Sequence, residues 1–413
     1  MTRSRTGWLA REDPLDTYPP TTGTTLPPGL ADRLDDLLTP VDEAQAARRA
    51  AHSAQGSHRQ LVHTVYVPAD TFSEETVGAW GDAGLGALRA HAPAAEALGV
   101  DLDVYGRVVA KLGSEAVEDL RVDFEDGYGD RPDAEEDADA RRAGTALRRP
   151  ATTGSGLRIK SLERATRGRA LRTVDLVLTA AGRVPEGFVV TVPKVSAPEQ
   201  VIAADELCAA VDAAVGGAPL RYELQVETPE AVARMAEIVA VATPRCAGLH
   251  YGTYDYSAAL GVAAAHQSLD HPVADHAKAI MQVAAAVAGL RVVDGSSNVL
   301  PVGDTASVRA AWELHMRLVQ RSMHAGIYQG WDLHPAQLVS RYAAAFTFYR
   351  QGFAAAAGRL RDYRDRVSGG VLDEPATARA LAGHLRRGLD CGALDEPEVE
   401  AATGINRATL DTL

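Results

Sequence analysis

Residues 187–228 read GFVVTVPKVSAPEQVIAADELCAAVDAAVGGAPLRYELQVET, and this succession decides the fold. Two strand-like runs, GFVVTVPKV (187–195) and RYELQVET (221–228), flank an Ala-rich amphipathic helical segment. Strands joined by such a crossover lie parallel, with a right-handed connection. The same alternation extends outward in both directions. Further strand candidates occupy residues 61–69, 118–126, 156–162, 245–255, 290–297 and 330–335, with helical sequence between successive ones. Eight βα repeats over roughly 250 residues fit an α/β fold of the (β/α)8 TIM-barrel kind. An open dinucleotide-binding sheet would carry GxGxxG after its first strand, and that motif is missing there.

Texture sets the expected domain limits. Residues 1–58 read as an N-terminal arm, in which TYPPTTGTTLPPG cannot hold a regular helix, followed by a helix within LADRLDDLLTPVDEAQAARRAAHS. Residues 59–345 form the barrel, with a long insert between 70 and 118. Residues 346–413 form a helical C-terminal extension. An aromatic stripe of Tyr342, Phe346, Phe348, Tyr349 and Phe353 is expected to pack this tail on the barrel.

Composition narrows the function. The 413 residues carry a formal net charge of -13, which argues against a basic nucleic-acid-binding face. The scattered Cys208, Cys246 and Cys391 form no CxxC pair. The opening residues show no apolar signal core, and charges interrupt every apolar run. A cytoplasmic protein without membrane or nucleic-acid partners is the expectation. Lysine occurs only at positions 111, 160, 194 and 278, so any Schiff-base chemistry must use one of those four.

Polar residues at strand carboxyl ends converge on one mouth of a parallel barrel. Here the second strand, in DLRVDFEDGYGDRP (119–132), ends in Glu125 and Asp126, the fifth in Glu227 and the sixth in Asp255. Arg158 and Lys160 stand on the third, Lys194 on the fourth, Asp294 on the seventh, and Asp332 with His334 on the eighth. Carboxylates gathered without Cys or His point to a hard divalent cation, Mg2+ or Mn2+, which would offset their repulsion. Plainer readings stand beside this one. Glu227 would be a helix-start acid before the N-cap Thr228, Asp255 a helix N-cap, and Asp123 structural. Arg158 would pair with a barrel carboxylate, Lys194 would bridge acids between strands, and His334 would bond backbone in a turn.

The runs VDFEDGYGD, LRIKS, VPKVSAPEQV, QVETPEAV, GTYDYSAALG and WDLHPAQL, in that order over residues 60–345, resemble the citrate lyase beta-subunit-like branch of the HpcH/HpaI aldolase superfamily. The resemblance implies a Mg2+-dependent carbon–carbon lyase on a TIM barrel, acting through a metal-stabilised enolate on a 2-oxo acid, hydroxy-dicarboxylate or acyl-CoA substrate. It assigns Glu227 and Asp255 as metal ligands and Arg158 as the clamp on substrate. Glu125 and Asp126 would support metal-bound water, Gly252 and Thr253 would bind a carboxylate through backbone N–H groups, and Lys194 is expected among the substrate-binding residues. It also implies a homo-oligomer, a trimer or hexamer. Two rivals remain: a metal-free Schiff-base aldolase using Lys194, and a metabolite-binding barrel without turnover.

Overall fold

A computed structural model of the chain describes residues 29–56, 59–365 and 374–412. Most of the irregular arm expected before residue 58 lies outside the described residues. The helix expected to follow it spans Leu30–Gly56.

All eight expected strands are present: β1 His63–Pro68, β2 Asp119–Asp123, β3 Gly154–Arg158, β4 Phe188–Val192, β5 Arg221–Val226, β6 Cys246–Tyr251, β7 Arg291–Val293 and β8 Gly330–Asp332. They form one parallel sheet in the order β7-β6-β5-β4-β3-β2-β1-β8. Across the remaining gap Asp294 N–H donates to the Gln329 carbonyl at 2.9 Å, and Trp331 N–H to that of Gly295 at 3.3 Å, closing the cylinder. The fold is a (β/α)8 barrel with helices around it and a helical C-terminal extension. The insert between β1 and β2 is helical, with Thr76–His91 and Leu102–Ser114 as its main elements.

Alternation along β2 shows how the strands fill space. Leu120 and Val122 join the continuous apolar core, while Asp119, Arg121 and Asp123, of the other parity, are buried among charged partners from neighbouring strands. The centre of the barrel is therefore polar and paired. Arg121 donates to both oxygens of Glu223 at 2.9 Å and also to Asp119. His250 Nε2 lies 3.0 Å from Glu223, and its Nδ1 accepts from Trp331 Nε1 at 2.9 Å. Helix Gln337–Asp365 runs without interruption past residue 345. Its first half joins the barrel core, and its second half packs with Pro375–Cys391 and Glu396–Thr403 in a separate apolar cluster.

Asp332 stands at the end of β8 but not in the mouth. It faces outward, where Arg341 donates to it and His63 and His315 lie 3.3 and 3.4 Å away. This buried cluster pins the long helix to the barrel. Burial, with Arg341 beside it, holds His315 down to about 4, so the imidazole stays neutral.

Candidate functional site

At the carboxyl ends of the strands a cleft of about 400 Å3 is lined by Asp123, Asp126, Arg158, Glu227, Thr253 and Asp255, among others. Glu125 and Lys194 bond directly to this set. The residues that the resemblance assigns to the site, Glu125, Asp126, Arg158, Lys194, Glu227, Gly252, Thr253 and Asp255, are thus gathered at one mouth.

Arg158, the last residue of β3, is nearly fully buried. Its Nε and Nη2 donate to the two oxygens of Asp123 at 2.7 and 2.6 Å, a bidentate fork, and Nη1 lies 3.5 Å from Glu125. The guanidinium also sits over the rings of Tyr66 and Trp331, at 4.9 and 5.8 Å. The pairing expected in the plainer reading is therefore real, and its partner is Asp123. That residue shares the parity of Glu125 along the strand and points into the mouth. Gly127 follows because a side chain there would collide with Asp123, whose carboxylate accepts the Gly127 N–H.

Lys194 is the sole non-glycine residue of positive φ among the described residues, at 53°. That backbone turns its N–H to Glu227 Oε1, at 2.8 Å, and sends the side chain across the cleft. Its Nζ lies 2.5 Å from Glu125, 2.9 Å from Asp255 and 3.4 Å from Asp126. Burial disfavours the charged amine, but Glu227, Glu125 and Asp255 outweigh it and hold the pKa above the usual lysine range. Burial raises Glu125, with Asp126 adding to it against Arg158 and Lys194. Burial acts to raise Asp126 as well, yet Lys194, Glu125 and Arg158 bring it down.

Glu227 closes the floor. It is 3% exposed, and burial pushes its carboxyl up to about 7, with Glu125 and Asp255 adding to the rise and Lys194 opposing it. Gln225 Nε2 donates to its Oε2. Thr228 is the N-cap of helix Pro229–Ala233, its hydroxyl accepting from Ala231 N–H, so the helix start needs no help from Glu227. Gly252 leaves the space that Glu227 fills, since a Cβ there would strike the glutamate. Asp255 lies in the first turn of helix Thr253–Ala259, whose N-cap is Gly252 rather than the aspartate.

Three expectations are corrected. The Gly252 N–H donates to the Val226 carbonyl at 2.9 Å and offers nothing to a substrate carboxylate. Asp294 is buried against Lys278 at 3.1 Å and Ser322 at 2.7 Å, outside the cleft. Lys160 reaches the Gly129 carbonyl at 3.1 Å and holds the loop after β2. His334 accepts from Ala336 N–H at 3.2 Å, the turn role expected of it. Sequence reasoning missed Tyr66, Gln225 and Trp331 as lining residues; the inward parity of β1 and β5 would have found the first two. Gln225 Oε1 and Thr253 Oγ1 are among the lining atoms buried without a hydrogen-bond partner.

The oxygen donors suit Mg2+ in kind. Among the described residues no three carboxylate, imidazole or thiolate groups stand close enough to ligate one ion. Mg2+ does not require three, because it keeps several waters and takes one or two carboxylates. The cation position between Glu125 and Asp255 is filled by the lysine ammonium, which stands in for an ion of the same sign. The residues therefore fit a divalent cation, provided Lys194 swings aside.

A family model described as a domain of unknown function, DUF6986, matches residues 41–413. The chain belongs to the DUF6986 family. No curated protein matches the sequence. Among solved structures, a citrate lyase from Burkholderia xenovorans LB400 aligns with 84% of this chain and 97% of its own, at 20% identity and a TM-score of 0.59. The citrate lyase beta subunit of Mycobacterium tuberculosis, complexed with oxaloacetate and magnesium, covers 70% of this chain and 98% of its own, at 19% identity and a TM-score of 0.44. CitE of the same organism, in complex with magnesium, acetoacetate and coenzyme A, covers 80% and 97%, at 20% identity and a TM-score of 0.48. The DUF6986 barrel thus shares its fold with the citrate-lyase-like branch that its motifs resemble.

Proposed function

We propose that the protein is a Mg2+- or Mn2+-dependent carbon–carbon lyase, acting through an enolate on a 2-oxo acid, hydroxy-dicarboxylate or acyl-CoA substrate. One observation carries this reading. In the mouth Asp123, Glu125, Asp126, Glu227 and Asp255 face only Arg158 and Lys194 as cations among the described residues. Such an excess of acid beside a cleft is costly unless a cation joins it.

Glu227 and Asp255 would hold the ion, with Glu125 and Asp126 orienting its water. A divalent ion there would polarise a carbonyl and offset the negative charge that bond cleavage leaves on oxygen. Arg158 supplies a second fixed positive charge. Asp123 takes Nε and Nη2, so Nη1 is the edge left to receive a substrate carboxylate. The Tyr66 and Trp331 rings keep that fork from turning. Thr253 Oγ1 and Gln225 Oε1 would orient the substrate's remaining polar groups. A cleft of about 400 Å3 suits a small dicarboxylate or an acyl group, so the nucleotide of an acyl-CoA would lie outside it. The Schiff-base rival gains nothing from the geometry, because the acids around Lys194 keep its amine protonated and weak as a nucleophile.

Thermal titration of metal-stripped protein tests the proposal. Oxaloacetate, pyruvate and acetyl-CoA are added with and without Mg2+, to the wild type and to Glu227→Gln. A ligand selective for the native state adds about 2.7 kcal/mol at a hundredfold excess over its Kd. The expected result is stabilisation by a 2-oxo acid only when Mg2+ is present, lost in the variant. Stabilisation indifferent to metal, or none with any ligand, overturns the assignment.

A further inference from the structure

Trp331 lines the mouth from the short strand β8 and is buried. Its ring stacks on Tyr66, with centroids 4.4 Å apart, and lies 5.8 Å from the Arg158 guanidinium. Little in the backbone or the packing fixes how that ring is turned. β8 has three residues and pairs with β1 on one side. On the other side Trp331 is held by one long bond, 3.3 Å, from its N–H to the Gly295 carbonyl. The apolar cluster around the ring comprises Tyr66, Val293 and Trp331 and stands apart from the main core. Apolar contact is non-directional, so so small a cluster sets the tilt of the indole weakly. One directional contact remains. The indole Nε1–H donates to His250 Nδ1 at 2.9 Å, and both side chains are buried. A nitrogen that accepts does not carry the ring's proton, so in this bond the proton sits on Nε2, 3.0 Å from Glu223. Glu223 is fixed in turn by the Arg121 fork and the Thr191 hydroxyl. Donors thus point one way along the row, from Trp331 to His250 to Glu223, and the row ties the mouth to the paired layer in the middle of the barrel.

We propose that His250 is a positioning residue for the mouth: by holding the Trp331 indole it fixes the Arg158 guanidinium, and so aims Nη1 at the carboxylate of a ligand. The identity of that ligand, a 2-oxo acid, rests on the lyase reading. Asp123 grips Nε and Nη2 of Arg158, and a fork gripped on one edge still pivots about its carboxylate. The indole face beside it limits that pivot. A misaimed N–H loses much of its hydrogen bond, which makes the angle of Nη1 matter for affinity. His250 does not line the cleft, so its effect on a ligand passes through the ring.

The full chain is compared as wild type, His250→Phe, His250→Gln, Trp331→Phe and the double variant His250→Phe/Trp331→Phe. Calorimetric titration reads the affinity for Mg2+ alone, for oxaloacetate with Mg2+, and for sodium acetate without metal. The indole N–H magnetic resonance signal of Trp331, recognised by its loss in Trp331→Phe, reads the hold on the ring. His250→Phe should weaken oxaloacetate about tenfold, the loss of one hydrogen bond, move the indole signal upfield, and leave Mg2+ alone unchanged. His250→Gln, whose amide can accept from the indole and donate to Glu223, should restore both. In the Trp331→Phe background, His250→Phe should cost little further affinity, because the link it breaks is already gone. Should His250→Phe fail to fold, Trp331→Phe, which keeps a ring and removes the donor, is expected to show the same loss. General damage to the barrel would instead weaken Mg2+ and oxaloacetate together and add in the double variant. That pattern, or carboxylate affinity unmoved while the indole signal shifts, overturns the proposal. Acetate asks only for the Nη1 edge. Wild type that binds acetate, with the same dependence on His250, but not oxaloacetate with Mg2+ would sink the lyase reading and leave this one standing; no carboxylate binding at all sinks both.

Discussion

Two buried arginines of this barrel make the same bond and sit in opposite circumstances. Arg121 forks onto Glu223 in the middle of the barrel, and Arg158 forks onto Asp123 at its mouth. Around Arg121 every acid is matched: Asp119 and Glu223 share the guanidinium, and His250 and Thr191 bond to Glu223. Around Arg158 the acids outnumber the cations, and a cleft opens beside them. A bidentate ion pair therefore says little about role. The balance of charge around it separates a closed scaffold from a site that draws in something from solution.

The largest effect should come from breaking the closed layer. Arg121→Met leaves Asp119 and Glu223 buried without their cation, which costs about 3–5 kcal/mol of stability. Arg158→Met leaves Asp123 beside an open cleft that admits water, so its cost should be clearly smaller, while the response to oxo acid disappears. Urea denaturation of both variants measures the difference. Equal losses would mean that the two layers are alike and that the mouth is no more than scaffold.

A pH dependence sharpens the contrast. Glu227 has its carboxyl raised from the ordinary 4.5 to about 7, first by burial. The folded, metal-free protein thus binds this proton more tightly than the unfolded chain does. Its contribution to stability falls as pH rises from about 4.5 and is fully lost above about 7, a change of about 3 kcal/mol. Glu227→Gln removes that slope. Relative to wild type, the variant should gain stability at pH 8 and gain nothing at pH 4. Denaturation midpoints of the two proteins across this range test it, and parallel curves would place the glutamate in ordinary solvation.

The barrel was legible because runs such as FVVTV and RYELQV are too β-branched and too evenly spaced by Ala-rich segments for another reading. The mouth was legible for a topological reason, since strand ends in a parallel barrel share one face. What failed was orientation. Asp332 closes a three-residue strand in which Trp331 faces inward, so the aspartate must face out. Asp294 follows another three-residue strand and turns away toward Lys278. In strands so short the period of two has no length over which to declare itself. Asp123 holds Arg158 and the loop after β2, the structural role expected of it, and its place in the mouth was there to be read from the parity it shares with Glu125.

The smallest expected effect concerns Lys194. Its ammonium stands where the mouth would place a metal ion, 2.5 Å from Glu125 and 2.9 Å from Asp255. In metal-free protein it relieves the repulsion between these acids, so Lys194→Met should cost about 1.5–3 kcal/mol, the range for hydrogen bonds to charged groups. The same substitution should make Mg2+ bind more tightly, by about tenfold if one such bond must be broken before the ion can enter. Stability and affinity thus move in opposite directions, which simple damage to the fold would not produce. Isothermal titration with Mg2+ beside urea denaturation of the metal-free variant reads both. An unchanged Mg2+ affinity would mean that the ion and the ammonium occupy different places, and the acid surplus of the mouth would then need a cation at a second position.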